Sequence, residues 1–133
     1  MNPRTLFSAL GFATLLMVGC GVDDIMPEIT INTPKENDVF ETGDTIRAQL
    51  QFSDNETLSQ YKIDIHGDHD GHSHGKGQAA LPAWDTLVIG DLEGSAGTID
   101  AEFIIPANIL PGPYHITVFA LDLNGNESNQ TRS

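Results

Sequence analysis

From Pro27 to the end of the chain every apolar run is short, alternates with polar residues and stops at a turn signal, and nothing carries helical spacing. The segment 45–52 sets the pattern: Ile46, Ala48, Leu50 and Phe52 fall on one face of an extended chain, with Arg47, Gln49 and Gln51 on the other. Six more stretches are expected as strands, over 28–32, 58–66, 84–92, 98–106, 114–122 and 127–133. Thr33-Pro34, Ser53-Asp54-Asn55-Glu56, the run Gly67 to Gly77, Leu110-Pro111-Gly112-Pro113 and Asn124-Gly125 lie between them. In the third stretch Tyr61, Ile63 and Ile65 share the buried face, while Lys62, Asp64 and His66 share the other. Leu87, Ile89, Ile99, Phe103 and Ile105 supply the apolar material of the fourth and fifth, and Val39-Phe40 is read as packing back over the turn-rich connection 35–44. The last stretch has no large apolar residue and is expected to pair weakly at an edge or to fray. The architecture that buries one face of each strand is all-β, a sandwich of about seven strands.

Ahead of the strands, Arg4 gives a positive start, Leu6 to Val18 an apolar core, and Gly19 a small residue before Cys20. The segment is too short for a spanning helix. Met17-Val18-Gly19-Cys20 resembles a lipobox, with Met where Leu is usual. That resemblance implies cleavage before Cys20 and a diacylglycerol on its thiol. The expected organisation is a lipoprotein signal peptide over 1–19, a lipidated acidic linker over 20–27 and a domain over 28–133. Gly21-Val22-Asp23-Asp24 resembles the acidic signal that sends Bacteroidetes lipoproteins to the outer cell surface. The expectation is an outer-membrane lipoprotein, on the cell surface or facing the periplasm, with the membrane as a partner only through the anchor on Cys20.

Without residues 1–19 the chain has 114 residues, all nineteen acids and five of the six bases, for a formal net charge of −14. Such a field repels nucleic acid and anionic lipid heads and attracts cations, although acidity also serves solubility. Cys20 is the only cysteine. No disulfide can form within the domain, so an apolar core must hold it together.

The segment Gly112-Pro113-Tyr114-His115-Ile116-Thr117-Val118-Phe119-Ala120-Leu121-Asp122-Leu123-Asn124-Gly125-Asn126 resembles the penultimate strand and hairpin of bacterial immunoglobulin-like domains. The resemblance gives Tyr114 the tyrosine-corner place and Asn124-Gly125 a tight turn with positive φ. Across 27–133 the chain is also similar to an uncharacterised family of small Bacteroidetes lipoproteins with a domain of unknown function. The phrases that carry this are Phe52-Ser53-Asp54-Asn55-Glu56 and Tyr61-Lys62-Ile63-Asp64-Ile65-His66 before a Gly/Asp/His loop. It implies fold and location and no activity.

Chemistry concentrates in His66-Gly67-Asp68-His69-Asp70-Gly71-His72-Ser73-His74, where four imidazoles and two carboxylates occupy nine residues. Imidazole with carboxylate suits zinc foremost, with nickel or copper(II) as alternatives, and a glycine-rich loop can wrap an ion that orders it. The plain alternative is a solvated polar loop with incidental histidines. The immunoglobulin-like resemblance adds His115, because there the third and sixth strands are antiparallel neighbours and His66 ends one where His115 begins the other. The expected metal ligands are therefore His66, Asp68, His69, Asp70, His72, His74 and His115. Imidazole must be neutral to bind, so affinity is expected to fall as pH drops below about 6.5.

Asp54-Asn55-Glu56 and Asp122-Leu123-Asn124-Gly125-Asn126 offer hard oxygens at the opposite end, but Asp and Asn build such turns without an ion, so calcium there is not expected. There is no Gly-x-Ser-x-Gly elbow, no free thiol nucleophile, no His-Glu-x-x-His pair and no phosphate-cradling loop, and the chain is not expected to be an enzyme. Trp84 and Tyr61 are read as core rather than as a sugar platform. The expected function is binding of a transition-metal ion by a lipid-anchored domain. The alternative is a surface adhesion or assembly module that recognises a protein or glycan.

Overall fold

The structure, a computed structural model, describes residues 21–68 and 81–133. Seven strands run β1 (Glu28–Thr33), β2 (Thr45–Ser53), β3 (Leu58–Gly67), β4 (Thr86–Asp91), β5 (Ala96–Ile104), β6 (Tyr114–Asp122) and β7 (Glu127–Arg132). They form two antiparallel sheets, β1-β2-β5 and β4-β3-β6-β7, packed as a β-sandwich. Among the described residues there is no helix.

Alternation places the core. On β2, Ile46, Ala48, Leu50 and Phe52 are buried and their neighbours are not. From the other sheet Ile63, Ile65, Ile116, Val118 and Ala120 meet them, and Phe103, Ile31 and Leu92 close the flanks. Burying a side chain of this size contributes about 1.5–3 kcal/mol, the force available to a domain that cannot form a disulfide. Trp84 and Tyr61 are half-buried against this cluster, as the core reading expects.

Three details differ from the sequence reading. The fourth strand is shorter than 84–92, and its outward residues are Leu87 and Ile89, 56% and 55% exposed. The register explains this: Val88 lies opposite buried Ile63, so the pleat turns Thr86, Val88 and Gly90 inward and the residues between them outward. Gly90 has to be small there, since a Cβ would stand 2.5 Å from the Tyr61 ring. Val39 does not pack back; it is 92% exposed, while Phe40 is 38% exposed.

The last strand neither frays nor pairs weakly. Six residue pairs, from Ile116↔Arg132 to Leu121↔Glu127, join β7 to β6, and the Thr117 and Thr131 hydroxyls meet at 3.0 Å. Backbone pairing and half-buried Ser128, Gln130 and Arg132 hold this edge without a large apolar side chain.

Tyr114 stands at the entry to β6. Its hydroxyl donates to Leu110 O at 2.7 Å and accepts from Trp84 N–H at 3.2 Å, a side chain clamping the turn four residues upstream. Gly125 has φ 93°, the positive value expected of the hairpin turn. Replacing Tyr114 by Phe leaves that carbonyl and that N–H without this partner and should lower stability by about 1–3 kcal/mol in urea denaturation. An unchanged midpoint would show that the clamp contributes nothing.

Candidate metal centre

The two histidines read as neighbours are neighbours. His66 on β3 and His115 on β6 are Cα partners in the ladder, both turned away from the core, with ring centroids 5.8 Å apart and planes at 64°. Antiparallel pairing with Ile65↔Ile116 buried inward leaves the next pair no other direction.

Asp68 joins them. Its N–H donates to Pro113 O at 3.0 Å, which holds the residue beside the start of β6, and its Oδ2 lies 3.1 Å from His115 Nε2. Each imidazole is oriented through its other nitrogen: His66 Nδ1 is 3.3 Å from Asp64 Oδ1, and His115 Nδ1 is 2.8 Å from Ser133 Oγ. A partner on Nδ1 turns Nε2 outward, the arrangement that orients metal-bound histidines, and in His115 that Nε2 faces Asp68. On the far side of the connection, Leu110 N–H donates to Pro82 O at 2.8 Å. Both flanks of the His-rich connection are therefore tied to one turn. His115 also lines a cleft of about 740 Å³ walled by Trp84, Ile105, Ile109 and Tyr114, so the site stands on the rim of an apolar hollow.

Of the seven residues read as metal ligands, the structure brings together His66, Asp68 and His115. His69, Asp70, His72 and His74, like Cys20, lie outside the described residues. The described three do not offer three ligand atoms within 4.8 Å of one another; among the described residues that is done only by Asp23, Asp54 and Asp122.

That second group forms at the opposite end of the sandwich. Asp54 and Asn55 belong to the β2–β3 turn, Asp122 ends β6, and Asn124 and Asn126 lie in the β6–β7 turn. Leu123 N–H donates to Thr57 O at 2.9 Å and stitches the two turns together. Asp23 was missed by the sequence reading, which placed it in a linker. It folds back, its Oδ1 accepting from Asn55 Nδ2 at 2.9 Å, its Oδ2 from Asn124 Nδ2 at 3.4 Å and its carbonyl from Asn126 Nδ2 at 3.1 Å. No strand pattern or turn signal in 21–27 announces this. Asp122 is 2% exposed and accepts from Asn126 N–H and Nδ2, both at 2.7 Å. Burial pushes its carboxyl up, but the hydrogen bonds from the Asn126 side chain and from the backbone of Asn126, Gly125 and Asn124 together outweigh it and hold the group below the usual carboxylate range.

A family model described as a domain of unknown function, DUF4625, matches residues 19–133. The chain belongs to the DUF4625 family. No curated protein matches it. This DUF4625 domain is similar in fold to the crystal structure of a DUF4466 family protein from Parabacteroides merdae, with TM-score 0.54 and 13% identity. The match covers 80% of this chain and 42% of the other, so the DUF4625 chain spans less than half the length of that protein. At this identity the likeness concerns fold alone.

Proposed function

We propose that this domain is a lipid-anchored, immunoglobulin-like module of the bacterial cell envelope that captures, buffers or hands on a transition-metal ion, zinc foremost, and does not catalyse. The observation that carries the reading is Asp68 Oδ2 at 3.1 Å from His115 Nε2 beside the ring of His66. Two ligands bound to a tetrahedral zinc at about 2.1 Å lie about 3.4 Å apart, so this pair needs to open by only a few tenths of an ångström to share an ion. His66 and the donors of 69–74 supply the remaining positions. Titration calorimetry of untagged protein should give micromolar zinc binding, and metal analysis of the same preparation should find zinc. No heat and no metal would sink the reading.

Three observations support the setting. The sheet order, with β3 and β6 adjacent, and the clamp of Tyr114 on Leu110 O fit the immunoglobulin-like resemblance. The DUF4625 match begins at residue 19, one residue before the expected cleavage point. The expected anchor makes its own prediction: Cys20→Ala should move the protein from the membrane fraction to the soluble fraction. Retention in the membrane would show that something other than the acyl chains holds it.

An adhesion or assembly module is the second reading, favoured by Leu87 and Ile89, exposed on the outer face of edge strand β4. It predicts that zinc leaves the melting temperature unchanged and that charged substitutions at these two positions abolish partner binding.

A further inference from the structure

We infer that the free edge of β4 takes up an extended segment of another protein as a further strand, and that this segment is basic at its ends and apolar between them. The inference gives the adhesion reading its partner chemistry and is independent of the ion site. Strands β1, β5, β4 and β7 close the edges of the two sheets. Three of them turn mainly polar side chains outward: Glu28 and Thr30 on β1, Asp100 and Glu102 on β5, Glu127 and Asn129 on β7, with Ile104 exposed only where β5 ends. On β4 the outward pair is Leu87 and Ile89, both more than half exposed. Soluble domains blunt a sheet edge with charge, and an edge left apolar is a template for pairing with another chain.

The ladder shows what that edge offers. Leu92 N–H donates to Ser59 O at 2.9 Å, and antiparallel bonding recurs at every second residue, so Gly90, Val88 and Thr86 are the residues bonded to β3. The N–H and C=O groups of Leu87, Ile89 and Asp91 therefore point to the open side, where no described strand lies. A strand added there bonds to the same residues whose side chains stand on the outer face. One row supplies both the main-chain bonds and the apolar contact.

Charge selects the occupant. Exposure alternates without a break from Trp84 to Asp91, so Asp85, Leu87, Ile89 and Asp91 form one exposed row that reads acid, apolar, apolar, acid. Neither acid has an ion-pair partner among the described residues. Lys62 stands opposite Ile89 on β3, but its Nζ lies 3.6 Å over the Phe119 ring. A second copy fits badly: the antiparallel register that sets Leu87 against Ile89 of the copy also sets Asp85 against Asp91 at both ends, between chains that each carry a net charge of −13. A segment with basic, apolar, apolar and basic residues at alternate positions matches all four and is drawn in by the same field.

The probe is the acetylated, amidated peptide Lys-Thr-Ile-Thr-Val-Thr-Lys, titrated by calorimetry into the purified untagged protein. It should bind with a dissociation constant below about 1 mM, and several-fold more weakly at about 1 M salt than at about 0.1 M. The same peptide with glutamates for lysines should bind at least tenfold more weakly to the parent, and Asp85→Asn/Asp91→Asn should erase that preference. Leu87→Thr/Ile89→Thr keeps two β-formers on an exposed face, so it should fold as the parent does and lose at least tenfold in affinity. Methylating the Ile and Val amide nitrogens of the peptide removes the donors to the β4 carbonyls and should abolish binding. Adding zinc or a chelator should change none of these affinities. No binding at about 1 mM, equal affinity for both peptides, or undiminished affinity in Leu87→Thr/Ile89→Thr would overturn the inference. A dimer in sedimentation that dissociates in the same double variant would overturn it in favour of a second copy. A methylated peptide binding as tightly as its parent would overturn the strand pairing while the broader adhesion reading stands.

Discussion

Replacing both His66 and His115 with alanine should weaken zinc binding at least a hundredfold and leave the metal-free stability within about 1 kcal/mol. Loss of an outer partner of a metal ligand already costs 10–100-fold in affinity, so loss of two ligands exceeds that. Stability should hold because both rings face away from the core, with side-chain exposures of 42% and 25%, and such surface changes move stability little. The single variants divide the question. His115→Ala removes the imidazole whose Nε2 sits 3.1 Å from Asp68 and should weaken binding more than Asp64→Ala, which removes only the orienting partner of His66. Equal zinc affinity in the parent and the double variant would show that residues 69–74 act without the strands, or that no site exists.

Leu50→Ala should destabilise the domain by about 2–5 kcal/mol and lower the melting temperature by about 10 °C or more. Leu50 is 0% exposed, on the central strand of the three-stranded sheet, opposite Ile31 on one side and Ile99 on the other. A void there is bounded by two sheets with full ladders of backbone hydrogen bonds and cannot collapse cheaply. Domains of this size are stable by about 5–15 kcal/mol, and no cross-link within the domain makes up the deficit. Denaturation in urea would measure it. A loss below about 1 kcal/mol would show that the interior repacks and that the core is looser than its burial indicates.

The sandwich was largely legible because burial on one face forces alternation. The segment 114–122 begins and ends where the pattern places it, and β2 differs by one residue. The reading failed where alternation gives no vote. In Leu87-Val88-Ile89 three apolar residues follow one another, and only the pairing of Val88 with Ile63 decides which faces inward. In 127–133 the decisive contribution is backbone hydrogen bonding to β6, which side-chain hydropathy does not record. The neighbours His66 and His115 were found because strand parity and an implied strand order suffice to place them. Asp23 was not, because a segment without periodicity carries no information about where it folds back, and its partners lie some thirty and one hundred residues away.

The turn at 110–113 grips both flanks of the connection between β3 and β4, through Pro113 O to Asp68 N–H and Leu110 N–H to Pro82 O. The scaffold thus sets the span to be bridged between Asp68 and Leu81, and bridging it with a connection of twice the length would add only about 0.6 kcal/mol of closure entropy. The scaffold therefore leaves the sequence of that connection open to change, and a designed peptide grafted between Asp68 and Leu81 would inherit the same mounting.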